Sequence, residues 1–508
     1  MKLVVLKGNM IERYSNPKIK DIWSDGNKLS LWEEVEIALI RAREILGRIK
    51  KGTTEKIESI LKSKTKDLAW WEKRDGEIHH DLQAAVEERR QHLGLLANEY
   101  HKDNTSYDTE EPAMAKMLED STLLVLEAGQ TLNKAIEEKA LRYRFTPMLA
   151  RTHGQWAQIQ SFGFECLTWH ESLKIPLTSL ADAEKLLRFT KCSGAIGNNA
   201  EIDPELEMCA LSLLNKRPWR GATQIMPREI HAQLASSLSR LVTQCEKISL
   251  DIRLASRSGF KILEEPFTKN QKGSSAMPQK RNPIRLEQIC GMGRVARHLA
   301  GMLEENIVTW ESRDISQSCV ERIAWPDLFH VAMRVLTVLT KVIEGLNVYP
   351  DKMMEEIVAS GGTYASNAAK SFLAEKGKDY GITPEDAYGI VRLAGHIMEE
   401  PDNWVSSLRR NLNSSLELAD ASLISFTLKK RNQNHLPKPT IEKIIMTADI
   451  HTIEDIDVDF ETAKAWGDKL FKLFNSKNKD VREAWSELFK PSRGMANEGV
   501  SFLEAFDL

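Results

Sequence analysis

The sequence predicts an all-α protein with several domains arranged around a bundle of long helices. Three long segments carry apolar residues at three- and four-residue steps, which is the period of an amphipathic helix. The chain has 508 residues, too many for one small core, and its 42% hydrophobic and 28% charged residues are ordinary for a globular protein. We therefore expect two to four domains and a sizeable helical core.

The three apolar stripes define the predicted bundle. The first contains Leu234, Leu238, Leu241, Val242, Cys245, Ile248 and Ile252. The second contains Leu286, Ile289, Met292, Val295, Leu299, Leu303 and Ile307, and the third contains Phe329, Met333, Leu336, Leu339, Ile343 and Leu346. Each stripe is wider than the two-position seam of a coiled coil, which indicates helices packed on several sides, either within one chain or across subunits.

Breaks in the helical pattern divide the chain into three predicted parts. An N-terminal helical domain covers 1–110, the bundle domain covers 111–362, and a C-terminal helical domain covers 363–508. Beyond about residue 425 the chain becomes more polar and includes Lys429-Lys430-Arg431, which predicts a solvated surface. This extended tail carries no recognisable motif.

Charge and cysteine content exclude several classes of protein. A net charge of -3 gives no electrostatic basis for binding nucleic acid. The six cysteines lack C-x-x-C spacing, so neither a zinc site nor a disulfide framework is expected. The apolar patch at residues 3–6 is too short for a signal peptide, and no later run approaches a membrane span. A cytoplasmic protein is therefore expected, without a membrane partner.

One segment between two helical stripes is predicted to be a functional loop. Residues 273–283 read Gly-Ser-Ser-Ala-Met-Pro-Gln-Lys-Arg-Asn-Pro. The two prolines exclude a regular helix, and Gly273 gives the backbone freedom just before two hydroxyls. The loop gathers two hydroxyls, two fixed cations and an amide, which suits a substrate that carries carboxylates.

This loop resembles the signature of the fumarase/aspartase superfamily, in which a Ser pair precedes Met-Pro-x-Lys-x-Asn-Pro. Within the superfamily the chain is most similar to the adenylosuccinate lyase family, because it opens with Ile-Glu-Arg-Tyr-Ser at 11–15 and continues with Ile-Trp-Ser-Asp at 22–25 and a helix through Trp32, Val35 and Glu36. The resemblance implies a three-domain helical fold whose central helices form a twenty-helix core in a homotetramer. It also implies a nucleotide substrate and no cofactor.

The reaction implied by the resemblance is elimination of fumarate from adenylosuccinate to give AMP, and also from the succinyl-carboxamide ribotide of purine synthesis. A base removes a proton beside a carboxylate while an acid protonates the departing amine. The family's Thr-His-Gly motif matches Thr152-His153-Gly154, just before a helix expected to begin near Gln158, so His153 is the candidate acid. An ordinary structural histidine at a helix start is the alternative.

The other catalytic roles follow from the same resemblance. Ser274 is the candidate base, supported by backbone donors, by Lys280 and by Asn282, because an isolated serine is a poor base. Glu287 is expected to orient His153, and His80 is expected to lie beside the reacting centre. The alternative for these residues is a capping and turn cluster on the surface, with Glu287 a solvated carboxylate.

Substrate contacts are implied for residues in several separate segments. They are Arg13, Tyr14, His79, Asp81, His101, Thr105, Ser106, Gln224, Ser275, Asn282, Arg313, Ser318 and Arg322. Forked arginine donors and an aromatic face suit a nucleotide monophosphate and a dicarboxylate. Because the segments are far apart in sequence, we expect a composite site where domains and subunits meet.

Three positions depart from the family pattern. His79 stands where the family has arginine, Tyr107 replaces a threonine, and Cys319 replaces a serine. These departures keep a related lyase with another succinyl substrate open as an alternative, and a non-catalytic bundle protein is a second alternative. The His79-His80 pair does not predict a metal, because adjacent helical residues diverge and no further ligands complete a site.

Overall fold

The computed structural model describes residues 10–399, 460–474 and 478–506. The apolar patch at 3–6 and the basic run at 429–431 lie outside these described residues. In the described part of the chain, nearly all regular structure is helical, and the strands are few and short. The all-α prediction is confirmed.

The helices of the first half are, in chain order, α1 Pro17–Ile22, α2 Asp25–Ile45, α3 Thr53–Lys62, α4 Leu68–Ile78, α5 Asp81–Arg90, α6 Ser106–Arg142, α7 Phe162–Leu186, α8 Pro204–Leu213 and α9 Arg228–Ala255. They continue with α10 Ile284–Glu305, α11 Ser316–Glu344, α12 Pro350–Ala359, α13 Ser366–Lys376, α14 Pro384–Glu399, α15 Phe460–Leu473, α16 Lys479–Glu487, α17 Pro491–Gly494 and α18 Glu498–Phe506. Short 3₁₀ helices occupy Gly94–Glu99, Thr363–Ala365 and Lys378–Tyr380.

The strands form three two-stranded pieces. They are β1 Pro147–Thr152, β2 Gln155–Ser161, β3 Phe189–Thr190, β4 Arg217–Pro218, β5 Leu263–Glu264 and β6 Asn347–Val348. The β1–β2 pair is an antiparallel hairpin, and β3 pairs with β4 in parallel. The predicted helix start near Gln158 is wrong, because that residue lies in β2 and the helix begins at Phe162.

The chain forms two compact units. Unit 1 consists of Met1–Ile136, Trp169–Ser256 and Glu264–Leu346, and unit 2 consists of Glu137–Thr168, Arg257–Leu263 and Asn347–Leu508. Long helices continue from one unit into the other, as α6 and α7 do. The division into 1–110, 111–362 and 363–508 stays a prediction.

Unit 1 contains the bundle that the three stripes predict. Helices α9, α10 and α11 pack on one another. In α9 the side chains of Leu238, Leu241 and Ile248 are fully buried, as are Leu286 in α10 and Leu336 in α11. Burial of each such side chain stabilises the fold by roughly 1.5–3 kcal/mol, so the apolar stripes are the main driving force for the bundle.

A second core of unit 1 lies around α2. Most of its buried residues come from α2, α3, α5 and α8, and they include Trp32, Leu39, Ile57, Leu82 and Leu206. The predicted helix through Trp32, Val35 and Glu36 is thus confirmed as part of α2, with all three residues buried. This core holds the start of α5 and the segment before α6, where several candidate site residues lie.

Unit 2 is built around the hairpin and the later helices. Leu149 of β1 and Ile159 of β2 pack in one cluster with Ile357 of α12 and with Leu373, Trp485 and other apolar residues of α13 to α16. The Tyr364 hydroxyl donates to the Phe489 carbonyl at 2.8 Å. The base of the hairpin is therefore anchored in an apolar core.

Among the described helices, α11 is long and apolar enough to pass a simple test for a membrane span, and 78% of its most apolar stretch is buried. Burial of that extent is what the core helix of a bundle requires, and the stripe through Phe329 and Leu339 packs inside unit 1. The apolar character of α11 is explained by its place in the bundle.

Candidate functional site

The signature loop folds into a compact turn before α10. The Ser274 hydroxyl oxygen accepts a hydrogen bond from the Met277 backbone N–H at 3.1 Å, and the Asn282 side-chain amide donates to the Gly273 carbonyl at 3.0 Å. A Cβ at Gly273 would lie 2.0 Å from the Lys280 carbonyl oxygen, so only glycine allows the two arms of the loop to approach this closely. The predicted non-helical loop is confirmed.

A buried carboxylate supports the end of this loop, and sequence reasoning missed it. Glu265 is 3% exposed and accepts hydrogen bonds from the backbone N–H groups of Arg285 and Leu286 at 3.1 and 3.2 Å. Burial raises the pKa of Glu265 above its ordinary value. Its carboxyl caps the first turn of α10 and so fixes where the loop ends. Two consecutive glutamates in the buried segment after Leu263 were the signal in the sequence.

The remaining candidates of this loop are presented to solvent. Ser275, Lys280 and Glu287 are exposed, and Glu287 lies in the first turn of α10. Arg281 reaches Glu264 at 3.6 Å and lies 5.5 Å from the centre of the Phe267 ring. The loop thus holds its backbone by internal hydrogen bonds and turns its charged side chains outward, which is the arrangement that an anion site needs.

The second group of candidates lies where α4 ends and α5 begins. His79 adopts a left-handed conformation with φ 55° and ends α4, while the His80 ring nitrogen Nδ1 accepts from the Gln83 N–H at 3.2 Å as the N-cap of α5. The other ring nitrogen of His80 lies 3.4 Å from the Ser106 hydroxyl. His80 and Ser106 are therefore brought together, as the resemblance implies, whereas His79 has a role in the backbone turn.

Asp81 connects this group to α11. Its carboxylate lies 3.1 Å from the Arg322 guanidinium and 4.0 Å from the Lys28 ammonium, and Asp81 is 8% exposed. The Arg322 side chain remains about half exposed. The pair holds Arg322 in place and leaves part of its guanidinium facing solvent.

A fully buried ion pair lies behind Thr105 and was not predicted. Lys191 donates to the Asp108 carboxylate at 2.6 Å, and both side chains are 0% exposed. Asp108 also accepts from the Thr105 N–H at 2.9 Å, and Lys191 donates to the Gln224 carbonyl at 3.1 Å. The pair therefore joins the start of α6 to the Gln224 loop. Its signal in the sequence was a single lysine, Lys191, between Phe189 and Cys192.

Arg313 and Gln224 meet beside Tyr107. The Arg313 guanidinium donates to the Gln224 side-chain oxygen at 2.9 Å and lies 4.0 Å from the centre of the Tyr107 ring. The Tyr107 hydroxyl accepts from the Gln317 amide at 3.1 Å and is also hydrogen bonded to Ser318. Burial raises the pKa of Tyr107. Tyr107, which stands where the family pattern has a threonine, thus places an aromatic face against a candidate substrate-binding arginine.

Ser318 and Glu110 also lie beside Tyr107. Ser318 is buried, at 6% exposure, and Glu110 is partly buried. Glu110 lines a small cavity with Tyr107 and Arg322. Burial and, next, the charge of Asp81 raise the pKa of Glu110 to about 7. Its carboxyl therefore titrates near neutral pH beside two arginines, and sequence reasoning missed it because an acidic residue in the first turns of a helix is ordinary.

His101 is held by a buried carboxylate of α2. Its ring nitrogen Nδ1 lies 2.7 Å from Glu36, and its backbone N–H donates to the same carboxylate at 2.9 Å. Burial pushes the pKa of Glu36 upward, but the charge and hydrogen bonds of His101 outweigh it and leave this pKa below its ordinary value. His101 also has a left-handed backbone, with φ 56°. These contacts fix the segment that leads to Thr105 and Ser106.

Arg13 and Tyr14 lie in the turn before α1. Arg13 is exposed and Tyr14 is partly buried. Two residues later, the Asn16 N–H donates to the His330 ring nitrogen at 3.0 Å, which fastens the turn to α11. Burial lowers the pKa of His330 to about 4, so its ring is neutral and accepts this hydrogen bond.

His153 lies in unit 2, apart in the chain from the unit 1 groups. Thr152 pairs with Gln155, so His153 and Gly154 form a two-residue hairpin turn. Their φ angles are 54° and 80°, which is the type I′ turn that suits the twist of a hairpin. The side chain of His153 is exposed at the tip. The motif therefore marks a hairpin tip, because Gly154 supplies the second positive φ at no steric cost.

No group of three metal-ligating side chains occurs among the residues that the structure describes. His79 and His80 diverge because one ends α4 and the other begins α5. The six cysteines are free thiols, four of them buried.

Known proteins resemble this chain in sequence and in fold. A family model described as Lyase matches residues 7–297. The adenylosuccinate lyase of Thermotoga maritima is 36% identical over 75% of this chain and 87% of its own length, and that of Bacillus subtilis is 33% identical over the same shares. A crystal structure of a fumarate lyase from Mesorhizobium sp. BNC1 superposes with a TM-score of 0.68, at 19% identity, over 95% of this chain and 98% of the other.

The helical bundle and its signature loop define the class as a lyase of the fumarase/aspartase fold. The sequence relatives identify the family more narrowly than the fold does, because they share about a third of their residues with this chain over most of both chains. The chain belongs to the adenylosuccinate lyase family.

Proposed function

We propose that this protein eliminates fumarate from adenylosuccinate to give AMP, and fumarate from the succinyl-carboxamide ribotide of purine synthesis, without a cofactor. The observation that carries the proposal is the Ser274 loop, whose sequence and shape suit a base that works on a succinyl group. The family relatives support the substrate, since their names are those of adenylosuccinate lyases.

Ser274 removes the proton from the succinyl carbon. Its hydroxyl oxygen already accepts the Met277 N–H at 3.1 Å, and such a donor stabilises the alkoxide that a serine base requires. Lys280 and Asn282 hold the charge that develops on the neighbouring carboxylate, with Ser275 as an additional donor. The exposed position of Lys280 allows it to meet a substrate that lies over the loop.

The anions of the substrate are bound by the unit 1 groups described above. Arg313 and Arg322 supply forked donors, each fixed on one side by Gln224 or Asp81. Thr105 and Ser106 at the start of α6 present their hydroxyls, that of Ser106 beside His80, and the positive end of the helix favours a carboxylate there.

Further contacts are proposed from the flanking segments. Arg13 and Tyr14 offer a cation and an aromatic face to the nucleotide, and His79 and His101 lie in turns beside the start of α5 and α6. Ser318 acts through its hydrogen bond to Tyr107.

His153 protonates the departing purine-side nitrogen, with Glu287 orienting its ring and His80 beside the reacting centre. An exposed imidazole at a rigid hairpin tip is free to enter a site completed by another segment or another subunit.

The assembly is proposed to be a cytoplasmic homotetramer. Helices α9 and α10 leave large apolar side chains exposed on unit 1: Leu250 and Leu254 at 42% and 44%, and Val295 and Met302 at 37% and 39%. A row of such residues along long helices marks a protein interface. Shared sites would then combine loops from neighbouring subunits.

The test is ultraviolet-monitored turnover of the purified protein with adenylosuccinate, with argininosuccinate alongside and fumarate identified in the product. Fumarate and AMP from the first substrate alone support the proposal. No turnover of adenylosuccinate at any enzyme concentration would overturn it.

The residue roles are tested by Ser274→Ala and His153→Ala. Loss of a general acid or base typically costs about 10²–10⁴-fold in kcat, so both variants should fall by at least 10²-fold. Size-exclusion chromatography with light scattering must show that each variant keeps the wild-type oligomeric state. Near-normal turnover in a folded variant would refute that residue's role.

A further inference from the structure

A carboxylate on α12 holds the hairpin that carries His153. Glu356 forms a two-point ion pair with the Arg151 guanidinium, one arm at 3.3 Å, and accepts from the Trp156 indole N–H at 3.1 Å. Arg151 and Trp156 are partners in the hairpin register, one on each strand. One carboxylate therefore binds both strands at the same level.

The Arg151–Trp156 pair lies close to the hairpin tip. The pair after Arg151 and Trp156 is Thr152 with Gln155, and the turn formed by His153 and Gly154 follows. An exposed two-residue turn takes its orientation from the ladder beneath it, so whatever fixes that ladder also fixes the imidazole of His153.

The ladder needs such a support. Its register shifts between Leu149 and Arg151, where three steps on β2 face two steps on β1. A bulge of this kind bends and twists a ribbon, and a two-stranded ribbon is marginally stable by itself. Beyond the bulge only two paired positions remain before the tip.

Glu356 is itself rigidly placed. The next residue, Ile357, is 1% exposed and packs in the core cluster with Leu149 and Ile159 from the base of the hairpin. The Arg151 guanidinium also lies 4.1 Å from the centre of the Phe260 ring, which holds its plane from a second side. The side chain of Glu356 is only 11% exposed, so solvent screens this ion pair less than it screens a surface pair.

We propose that Glu356 is a positioning residue for His153, acting through Arg151 and Trp156. The inference rests on the proposed function, in which His153 is the catalytic acid. Without the carboxylate, the two strands above the bulge lose their common anchor and the imidazole shifts. A shift of about 1 Å in a reacting group costs on the order of 10²-fold in rate.

The chain offers a matched control in the same unit. Asp386 accepts from the Trp466 indole N–H at 2.8 Å and from the Lys469 ammonium at 2.7 Å, so it also binds one indole and one cation. It lies in α14, and its partners belong to α15. Asp386→Ala should lower thermal stability as Glu356→Ala does, without affecting His153.

The experiment compares steady-state kinetics of Glu356→Ala, Glu356→Gln and Asp386→Ala with adenylosuccinate. Glu356→Ala should lower kcat by between about 10-fold and 100-fold and leave KM within about twofold. Glu356→Gln should recover part of this loss, because its amide oxygen still accepts from Trp156. A drop in kcat no larger than that of Asp386→Ala would overturn the proposal.

A double-mutant cycle separates this proposal from the assignment of His153. If Glu356 acts through His153, then Glu356→Ala should have no further effect on single-turnover rates in the His153→Ala background. Equal fold-losses in both backgrounds would refute the positioning role while leaving His153 as the acid. Full activity of His153→Ala alone would instead refute the acid assignment.

Discussion

The geometry of the signature loop predicts the effect of one added methyl group. In Gly273→Ala, the new Cβ would lie 2.0 Å from the Lys280 carbonyl oxygen and 3.2 Å from the Arg281 Cα. Both neighbours are backbone atoms, so no side chain can rotate away to make room. The backbone at Gly273 and the backbone at Lys280 must therefore move apart.

The size of the movement follows from that contact. Real Cβ atoms essentially never lie closer than 3.0 Å to another heavy atom, so the 2.0 Å approach must lengthen by about 1 Å. The hydrogen bond from Asn282 to the Gly273 carbonyl would be lost with it. Ser274 and Lys280 then leave the positions from which they are proposed to act on the substrate, and a displacement of about 1 Å is expected to cost on the order of 10²-fold in kcat.

Global stability should fall far less than activity, because most of the loop is exposed and its opening uncovers little of the buried core. The assay is turnover of adenylosuccinate together with thermal unfolding of the same samples. Gly499→Ala is the matched control, since Gly499 lies in α18 with nothing within 4 Å of the added Cβ. A Gly273→Ala protein with normal kcat would refute the reasoning that the loop must stay closed.

Two further variants test the buried groups of unit 1. Lys191→Met leaves the Asp108 carboxylate buried without its cation, and breaking such a pair should cost about 3–5 kcal/mol of unfolding free energy, measured by urea denaturation. Glu110→Gln removes a carboxyl whose pKa is raised by burial to about 7. Between pH 4.5, the ordinary pKa, and about pH 7, the unfolded wild-type chain releases this proton while the folded protein keeps it. The stability of the wild type therefore falls as pH rises through that window. The variant should therefore match the wild type near pH 4 and be more stable at pH 8, by up to about 3 kcal/mol, in thermal unfolding scans.

Each of these variants has its own control. Lys191→Met combined with Asp108→Asn should recover much of the lost stability, since the buried charge is then removed as well. A single Lys191→Met variant that loses less than about 1 kcal/mol would contradict the role of the ion pair. For Glu110, the stability of Glu110→Gln is compared with that of the wild type at each pH. A difference that stays constant from pH 4 to pH 8 would show that the Glu110 carboxyl does not titrate in this window.

Local patterns predicted the helices and the loop. The stripes around Leu238, Leu286 and Leu336 gave three bundle helices, because a 3.6-residue period places one face of a helix in the core whatever the partner is. The loop at 273–283 followed from its prolines and glycine, which restrict the backbone through their own covalent structure. Candidate residues such as Ser274 and His153 came instead from the resemblance of short contiguous motifs to those of the family, and their roles stay predictions.

The tertiary structure decided what depends on residues far apart in the chain. The sequence around Gln158 was taken for a helix start, whereas pairing with β1 makes it a strand, since strand pairing is a non-local interaction. The Lys191–Asp108 pair joins residues 83 positions apart, and Glu356 meets Arg151 across 205. These charged side chains interact strongly only after folding has removed water from them and brought their partners into place. The amino-acid sequence by itself thus determined the helices, the loop and the family, and the fold decided which buried charges hold the candidate site in shape, because a carboxylate or an ammonium has no recognisable role until its neighbours are known.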